Sequence, residues 1–523
     1  MKILLLHITL FYLSFFHANG QFKTLAEGPV FEEPQAGSVK ILQLKNGNTA
    51  FLHIINEKIN VQIYNQSHQK TAEQSISTTV TKKDFNPKAI FEINNDIVLI
   101  GTLYKGKDPM LYRWLIDENS GSLKEEQKID NIDWERPTIL FGGGAPGASF
   151  QIRKDPESDY YAVIAINGSE TDRNKRLELS WYGPDNKLIR KTYLPSPKDR
   201  YKFLEYLDMV VLNNKRVSVL ISAYNTQSSG GKERAFVLAN LSSTDSTVSE
   251  AVLPFAKDLV VNDAITRYNP ITKKIIVVTA AKANQLTDEY TCYLACIEPE
   301  TKHVDYSGII YPVKANEKKM ELFGEKHRFT GLPQNLYINN DGTFSVVYEE
   351  ITQISSTHLT NTELGNIAIS KYNATGKELS SCFIPKSQLL RSYSVSPFYL
   401  YYGEGSFTSL YLGNQYRFFS YLNGGEKSYI LFNDIEENAE KAKKGKLTTI
   451  QSVKDCDGYY YNISGFQTLP ERNYFFDKPD NKQNNLALFD VSDYNKQTNT
   501  YVTLKLEQVG KDKGVKLVWL QPQ

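Results

Sequence analysis

The feature that most constrains this chain is a recurring unit of two short apolar runs joined by a polar turn. The first unit is "VKILQLKNGNTAFLHII" (39–55), with its turn at Asn46, Gly47 and Asn48. Asn, Asp, Gly and Pro supply the backbone conformations of tight hairpins, and Val, Ile, Tyr and Phe are typical of pleated strands. Seven such hairpins are predicted, with first turn residues at positions 46, 94, 155, 213, 269, 339 and 413.

Each hairpin is followed by a third run and often by a fourth, as in "RLELSWYGPDNKLIRKTYL" (176–194). Four consecutive strands form one sheet, and a ring of such sheets around a channel is a β-propeller. The pattern predicts an all-β fold with one propeller domain over 21–523. Seven four-stranded blades are favoured, with six or eight as alternatives. The tail (484–521) supplies further strands that complete the seventh blade or help to close the ring.

One short surface helix is predicted near 433–446. Asn433 or Asp434 is suited to cap its start, lysines fill its last turn, and Gly445 is a good stop. Its apolar face is small, so we expect it on the surface.

The first twenty residues have the pattern of a secretory signal peptide. Lys2 forms a positive n-region, "ILLLHITLFYLSFF" (3–16) an apolar h-region, and Ala18 and Gly20 the small residues before the cut. We therefore expect an exported protein that is periplasmic, associated with the outer membrane, or secreted. No later apolar run approaches the length of a transmembrane helix.

The charge balance argues against a nucleic-acid partner. The chain has 60 basic and 59 acidic residues, and loss of Lys2 with the signal peptide brings the formal charge to zero. A nucleic-acid-binding protein normally carries a basic excess or stripe. The four cysteines, at positions 292, 296, 382 and 456, are compatible with buried free thiols or with a disulfide between neighbouring strands, since export permits oxidation.

The most glycine-dense stretch, "FGGGAPGASF" (141–150), raises the question of a phosphate-binding loop. Such a loop needs a helix after the glycines and usually a Lys-Ser/Thr pair at the start of that helix. Here the continuation is predicted to be a strand, a turn and another strand. The glycines therefore indicate a close passage of the backbone into the third blade.

Three stretches carry a resemblance to a known group: "GGGAPGASFQIRKDPESDYYAVIA" (142–165) with the strands that follow it, "LGNIAISKYNATGKELSSCFIPKSQ" (364–388) and "YILFNDIEEN" (429–438). They resemble uncharacterised exported β-propeller-like proteins of Bacteroidota. The chain departs from that group at "KDPESD", where a Ser-x-Asp turn is usual. The resemblance spans roughly residues 85–440 and implies a fold and export, but no activity.

The best candidates for acid–base chemistry lie in two stretches before and within the sixth unit. Glu325 and His327 belong to "LFGEKHRFTGLPQN" (322–335), and Glu349 ends a predicted strand. A carboxylate and an imidazole within reach of one substrate provide general acid–base catalysis. The alternative is that all three lie in solvated loops between blades. No HExxH zinc motif or GxSxG nucleophile motif is present.

The densest aromatic stretch (393–422) contains Tyr399, Tyr401 and Tyr402. Tyrosine offers a flat amphipathic surface, so these three side chains are candidates for binding a sugar ring or a peptide. The alternative is ordinary packing between strands and blades.

No cofactor is predicted, and no residue is assigned as a metal ligand. Carboxylates and amides in "DCDG" (455–458) and "DKPDNKQNN" (477–485) suit calcium, but neither stretch follows a complete calcium-loop pattern. A structural calcium ion stays an alternative.

The sequence favours a non-enzymatic exported protein that presents propeller loops to an envelope or extracellular protein or glycan. The alternative is a hydrolase or lyase acting on an extracellular polysaccharide or peptide through Glu325, His327 and Glu349. Clustering of these three residues at one mouth of the channel would favour the enzyme, and scattering would favour the binding protein.

Overall fold

The computed structural model describes residues 22–55, 58–78, 85–106, 108–133, 147–225, 234–245, 247–255, 259–283, 289–355, 360–424, 427–476, 478, 484–509 and 512–523. The predicted signal peptide, residues 141–146 and most of 477–485 lie outside these ranges. Within them, eight antiparallel sheets follow one another along the chain. This arrangement confirms the predicted all-β propeller.

The N-terminal strands are β1 (Lys23–Glu27) and β2 (Phe31–Glu32). Blade 1 contains β3 (Gly37–Gln43), β4 (Thr49–Ile55), β5 (Lys58–Tyr64) and β6 (Lys70–Ser77), and blade 2 contains β7 (Asn86–Ile93), β8 (Asp96–Lys105), β9 (Asp108–Asp117) and β10 (Leu123–Asn131). Blade 3 contains β11 (Ala148–Lys154), β12 (Tyr161–Asn167), β13 (Leu177–Tyr182) and β14 (Leu188–Tyr193), and blade 4 contains β15 (Phe203–Leu212), β16 (Arg216–Tyr224), β17 (Ala235–Ser242) and β18 (Ser249–Leu253). Blade 5 contains β19 (Val260–Asn269), β20 (Lys274–Lys282), β21 (Thr291–Ile297) and β22 (Val304–Ile309). Blade 6 contains β23 (Leu332–Ile338), β24 (Phe344–Ser355), β25 (Thr360–Tyr372) and β26 (Glu378–Ile384). The remaining strands are β27 (Gln388–Leu390) and β28 (Thr408–Leu410); β29 (Ser420–Asn423), β30 (Ser428–Asp434), β31 (Asp457–Asn462) and β32 (Arg472–Tyr474) of blade 7; and β33 (Ala487–Asn495), β34 (Thr500–Val509) and β35 (Asp512–Gln521) of blade 8.

The ring has eight blades, one more than the favoured seven. The six hairpins predicted from position 46 to position 339 are present, each joining the first two strands of a blade. The seventh, placed at position 413, is wrong because β28 pairs with the first strand of blade 1 and residues 414–416 form a 3-10 turn. The hairpin of blade 7 instead joins β29 to β30, and the C-terminal tail builds a separate eighth blade.

The two ends of the chain close the ring together. In blade 8, β1 lies beside β35 as the fourth strand, and β2 pairs with the same strand further along. Most of β1 is exposed, but Phe22 just before it is buried. Its ring centroid lies 5.0 Å from that of Tyr429, 5.1 Å from that of Tyr460 and 4.9 Å from that of Phe475. The N-terminal strand is thus anchored between blades 7 and 8 by one aromatic side chain.

The hydrophobic core lies between neighbouring sheets. Strand residues alternate between faces, so each blade buries one apolar face against the blade before it and one against the blade after it. One cluster, for example, packs Leu179 and Trp181 of blade 3 against Val219 and Ile221 of blade 4.

The four cysteines are free thiols, of which only Cys292 is not fully buried.

The described ranges contain three α-helices: α1 (Val313–Phe323), α2 (Tyr399–Gly403) and α3 (Asn438–Lys443). The predicted helix near 433–446 corresponds to α3 but is shorter. Asn433 and Asp434, its predicted caps, are instead buried at the end of β30, where both pair with β31. None of the helices in the described ranges is long and apolar enough to cross a membrane.

Phe22→Ala should lower the free energy of unfolding by about 3 to 5 kcal/mol, because it leaves a cavity where the N-terminal strand meets three aromatic rings. Leu25→Ala is the matched control, since Leu25 lies on β1 and is 39% exposed. Urea unfolding of the two variants measures the difference. Equal stability losses would contradict the anchoring role of Phe22.

Candidate functional site

The channel of the propeller is filled by the connection between blades 6 and 7. We call residues 385–419 the axial segment; it contains β27, α2 and β28. Its β28 extends the sheet of blade 1 by pairing with β3. The backbone N–H of Ile90 in blade 2 donates to the carbonyl of Gly405 at 2.8 Å, and the Thr408 hydroxyl donates to the carbonyl of Asp490 in blade 8 at 2.9 Å.

The axial segment also reaches the other blades. Asn433 in blade 7 donates from its side chain to the Tyr416 carbonyl at 2.9 Å, and the Phe398 N–H donates to the Pro333 carbonyl in blade 6 at 3.0 Å. The side chains of Tyr401 and Tyr402 in α2 contact blades 3, 4 and 5. One connection therefore touches all eight blades.

Tyr401 of α2 lies at the centre of a polar cluster formed by three neighbouring blades. Its hydroxyl donates to Asp208 Oδ2 at 2.5 Å. Asp208 is fully buried and also accepts from Arg153 Nε at 3.1 Å and from the backbone N–H of Thr266 at 2.6 Å. The guanidinium carbons of Arg153 and Arg267 lie 4.5 and 4.6 Å from the centre of the Tyr401 ring. This cation–π and hydrogen-bonded cluster joins α2 to the first strands of blades 3, 4 and 5.

A repeated irregularity of the innermost strands places polar side chains in the channel. The pairing register of the first strand shifts just before Asp208 in blade 4, Asp263 in blade 5 and Asn335 in blade 6. A β-bulge redirects the side chain that follows it. Asp263 then accepts from the Tyr402 hydroxyl at 3.1 Å, and the Asn335 amide donates to Glu404 at 2.7 Å.

A buried ion pair ties blade 6 to the axial segment. Lys386 Nζ lies 2.7 Å from Glu349 Oε1, and neither side chain is exposed. Tyr399 donates its hydroxyl to Glu349 Oε2 at 2.6 Å. Burial raises the pKa of Glu349 and lowers that of Lys386, while their mutual attraction opposes both shifts. These contacts make Glu349 a structural partner of the axial segment.

Because the axial segment closes the channel, the propeller has a blind funnel of about 1290 Å3. Tyr401, Gly403 and Glu404 of the axial segment form its floor. Hairpin turns such as 155–157 and 339–340 line its rim, so it opens on the face that carries the turns between the first and second strands. Deep, partly apolar concavities with a few placed polar groups are the usual form of ligand sites.

The part of the funnel wall formed by blades 8 and 1 carries charged groups in unfavourable surroundings. Asp490 and Asp493 lie on β33 and Lys40 lies on β3. Burial raises the pKa of Asp490 to about 6, although Lys40 and Thr408 oppose the shift. Burial likewise raises the pKa of Asp493 and lowers that of Lys40. Titratable groups perturbed by burial inside a cavity are candidates for function.

The sequence-predicted catalytic residues are in different surroundings. Glu325 and His327 are exposed in the turn after α1, whereas Glu349 is buried in the channel. Within the described ranges, neither Glu325 nor His327 makes a side-chain hydrogen bond or ion pair with Glu349. A role for any of the three in catalysis stays a prediction.

The three predicted tyrosines all belong to α2 inside the channel rather than to an exposed platform. Tyr401 is 3% exposed and lines the funnel floor, and Tyr399 and Tyr402 are partly buried with their hydroxyls bonded to carboxylates. Their role in ligand binding stays a prediction. No group of three metal-ligating side chains lies together in the part of the chain that the structure describes. The calcium alternative stays untested.

Sequence reasoning missed Asp208, Arg153 and the acidic residues of blade 8. A signal was present: the innermost-strand stretches "YLDMVV" (206–211), "VNDAIT" (261–266) and "PQNLYI" (333–338) each have Asp or Asn as their third residue. Aligning the blades on their first strands would have picked out these channel-facing residues.

No protein-family model matches the chain, and no curated protein matches it at a significant level. Among solved structures, a prolyl endopeptidase is similar with a TM-score of 0.40 and 11% identity over 94% of this chain and 55% of its own. This chain thus spans about half the length of that enzyme. A polysaccharide lyase is similar with a TM-score of 0.35 and 9% identity, covering 83% and 90% of the two chains. A protein described as exported, from Bacteroides fragilis, has a TM-score of 0.27 and 10% identity, with 66% and 84% covered. These similarities concern the fold alone.

Asp208→Ala should lower the free energy of unfolding by about 3 to 5 kcal/mol, because it leaves the Arg153 charge without its carboxylate in a largely buried cluster. The exposed Asp245 provides the control: Asp245→Ala should change stability by no more than about 0.5 kcal/mol. Urea unfolding measures both variants. A loss below about 1 kcal/mol for Asp208→Ala would show that the axial segment does not depend on this cluster.

Asp490→Asn should raise the free energy of unfolding at pH 7.5 by about 1 to 2 kcal/mol. The folded chain binds the Asp490 proton more tightly than the unfolded chain does, so this group costs stability as pH rises from 3.8 to about 6. The gain in the free energy of unfolding should therefore be smaller at pH 4.5 than at pH 7.5. Urea unfolding of the wild type and the variant at both pH values measures it. A gain that is equal at both pH values, or absent at pH 7.5, would contradict the raised pKa of Asp490. Asp245→Asn, at an exposed position, is the control.

Proposed function

We propose that this chain is an exported, non-enzymatic binding protein that takes a glycan into the funnel. The observation that carries the proposal is the axial segment, which closes the channel and gives the funnel a floor. An open channel offers a ring of loops, whereas a blind funnel can enclose most of a ligand's surface.

The chemistry of the wall favours a carbohydrate over a protein segment. Tyr337, Tyr421 and Tyr494 line the funnel and are each partly exposed. Aromatic rings pack against the apolar faces of sugars, and short polar side chains satisfy the hydroxyl groups at their edges. Ser420 and Asn423 of blade 7 are such side chains and lie on the same wall.

The neutral overall charge is compatible with this proposal, since a chain without net charge has no long-range attraction to a polyanion. The predicted signal peptide and the resemblance to exported propeller-like proteins support a site of action outside the cytoplasm. A protein partner docked on the funnel rim is the alternative occupant.

A second function has one specific observation in its favour. Asp490, with its pKa raised to about 6, lies in the same cavity as Asp493. A carboxyl group that keeps its proton near neutral pH can act as a general acid while a second carboxylate acts as base or nucleophile. A glycoside hydrolase is therefore the alternative, and release of reducing ends from a bound glycan would establish it.

Gly403→Trp should abolish glycan retention without unfolding the protein. A Cβ at Gly403 has no heavy atom within 4 Å, and the residue lies at the funnel floor, so an indole there occupies the space a ligand needs. Gly465→Trp is the matched control, because Gly465 also has open space around it but lies outside the funnel. A glycan array probed with both variants and the wild type measures retention.

We expect the wild type and Gly465→Trp to retain the same glycans and Gly403→Trp to lose them by at least about tenfold. Unchanged retention by Gly403→Trp would place the ligand elsewhere. If the wild type retains no glycan, capture from its own cell envelope followed by mass spectrometry tests for a protein partner instead.

A further inference from the structure

The wall of the funnel formed by blade 8 contains more acceptors than the protein itself uses. The pairing register of β33 with β34 shifts between Ala487 and Ser492, which interrupts the usual alternation of side chains. As a result Asp490, Ser492 and Asp493 all line the funnel. Asp493 accepts from the backbone N–H groups of Gln43 at 2.7 Å and Tyr494 at 2.9 Å, which hold its carboxylate in place.

Positive charge from the protein compensates this wall only in part. Lys40 is attracted by three carboxylates, those of Asp493, Asp490 and Glu404. Among the described residues its Nζ donates to the Gly403 carbonyl at 3.5 Å. Glu404 is already paired with Arg267. Lys496 also lines the funnel but is exposed. Two carboxylates therefore share one ammonium group at depth.

An unpartnered hydroxyl lies on the same wall. Tyr501 is 1% exposed and lines the funnel, and its hydroxyl makes no direct hydrogen bond in the described part of the chain, although the Ser420 and Ser492 hydroxyls lie near it. Buried hydroxyls are almost always bonded, and leaving one unsatisfied costs about 1 to 3 kcal/mol. The ring of Tyr501 is held by its neighbours Phe22 and Phe475, so the hydroxyl is fixed in position.

We infer that Asp490, Asp493 and the Tyr501 hydroxyl bind the ammonium group of an amino sugar. An ammonium group has three donors and no acceptor, which matches two carboxylates and one hydroxyl oxygen. Charge-assisted hydrogen bonds of this kind are stronger than neutral ones. The partly exposed rings of Tyr421 and Tyr494 flank the wall and provide stacking surfaces for the sugar ring. This inference rests on the proposed glycan-binding function and names the sugar class.

A pair of oligosaccharides that differ only at nitrogen tests the inference. The glucosamine hexamer carries free amines, and the N-acetylglucosamine hexamer carries neutral amides in their place. Isothermal titration calorimetry of the mature full-length protein with both hexamers gives the ratio of their dissociation constants. We expect the amine-bearing hexamer to bind at least about tenfold tighter, because only its ammonium group pairs with the carboxylates.

Three variants assign that preference to the wall. The Asp490→Asn, Asp493→Asn double variant should reduce the ratio to about one, and Tyr501→Phe should reduce it by a smaller factor. Glu300→Gln is the matched control, since it removes a carboxylate from the opposite rim and should leave the ratio unchanged. Thermal unfolding checks that each variant is folded.

Equal binding of the two hexamers by the wild type would overturn the ammonium site while supporting glycan binding. A preference that survives in the double variant would also overturn it. If neither hexamer binds, the amino-sugar inference fails, and the broader proposal is judged separately by the array with Gly403→Trp.

Discussion

The bond between Tyr401 and the buried carboxylate of Asp208 is the interaction on which the interior of this propeller depends. Asp208 accepts hydrogen bonds from blade 3, blade 5 and the axial segment at once. A buried carboxylate is costly unless donors surround it, and a complete set of donors makes the arrangement rigid. The same side chain therefore holds three blades in register and fixes α2 on the axis.

That fixed helix determines the shape of the candidate site. Eight sheets arranged in a ring leave a channel between their innermost strands. The axial segment enters after blade 6, adds a strand to blade 1 and returns to begin blade 7. Gly403 and Glu404 at its turn are exposed and line the funnel. A feature that completes the core thereby also supplies the floor of the binding cavity.

The funnel combines a rigid floor with one wall, formed by blade 8, on which polar groups lack favourable partners. Both carboxylate oxygens of Asp208 accept hydrogen bonds, whereas Asp490 has a raised pKa and the Tyr501 hydroxyl makes no direct hydrogen bond among the described residues. Functional sites commonly retain groups that lower stability, because selection acts on activity once the fold is stable enough. Blade 8 is therefore the part of the funnel wall where polar groups lack the donors that surround Asp208.

The sequence by itself determined the strands, most of the hairpins and the choice of a propeller. Alternating apolar residues and turn residues act over a few positions, so these features are readable locally. It did not determine the blade number, because "SLYLGNQYRFFSYL" (409–422) has the pattern of a hairpin but pairs in part with a strand some 370 residues earlier. Only the tertiary structure brought Asp208, Arg153 and Tyr401 together, and only it placed Asp490 in a cavity. Such contacts depend on ring closure between distant segments, which no local pattern of residues encodes.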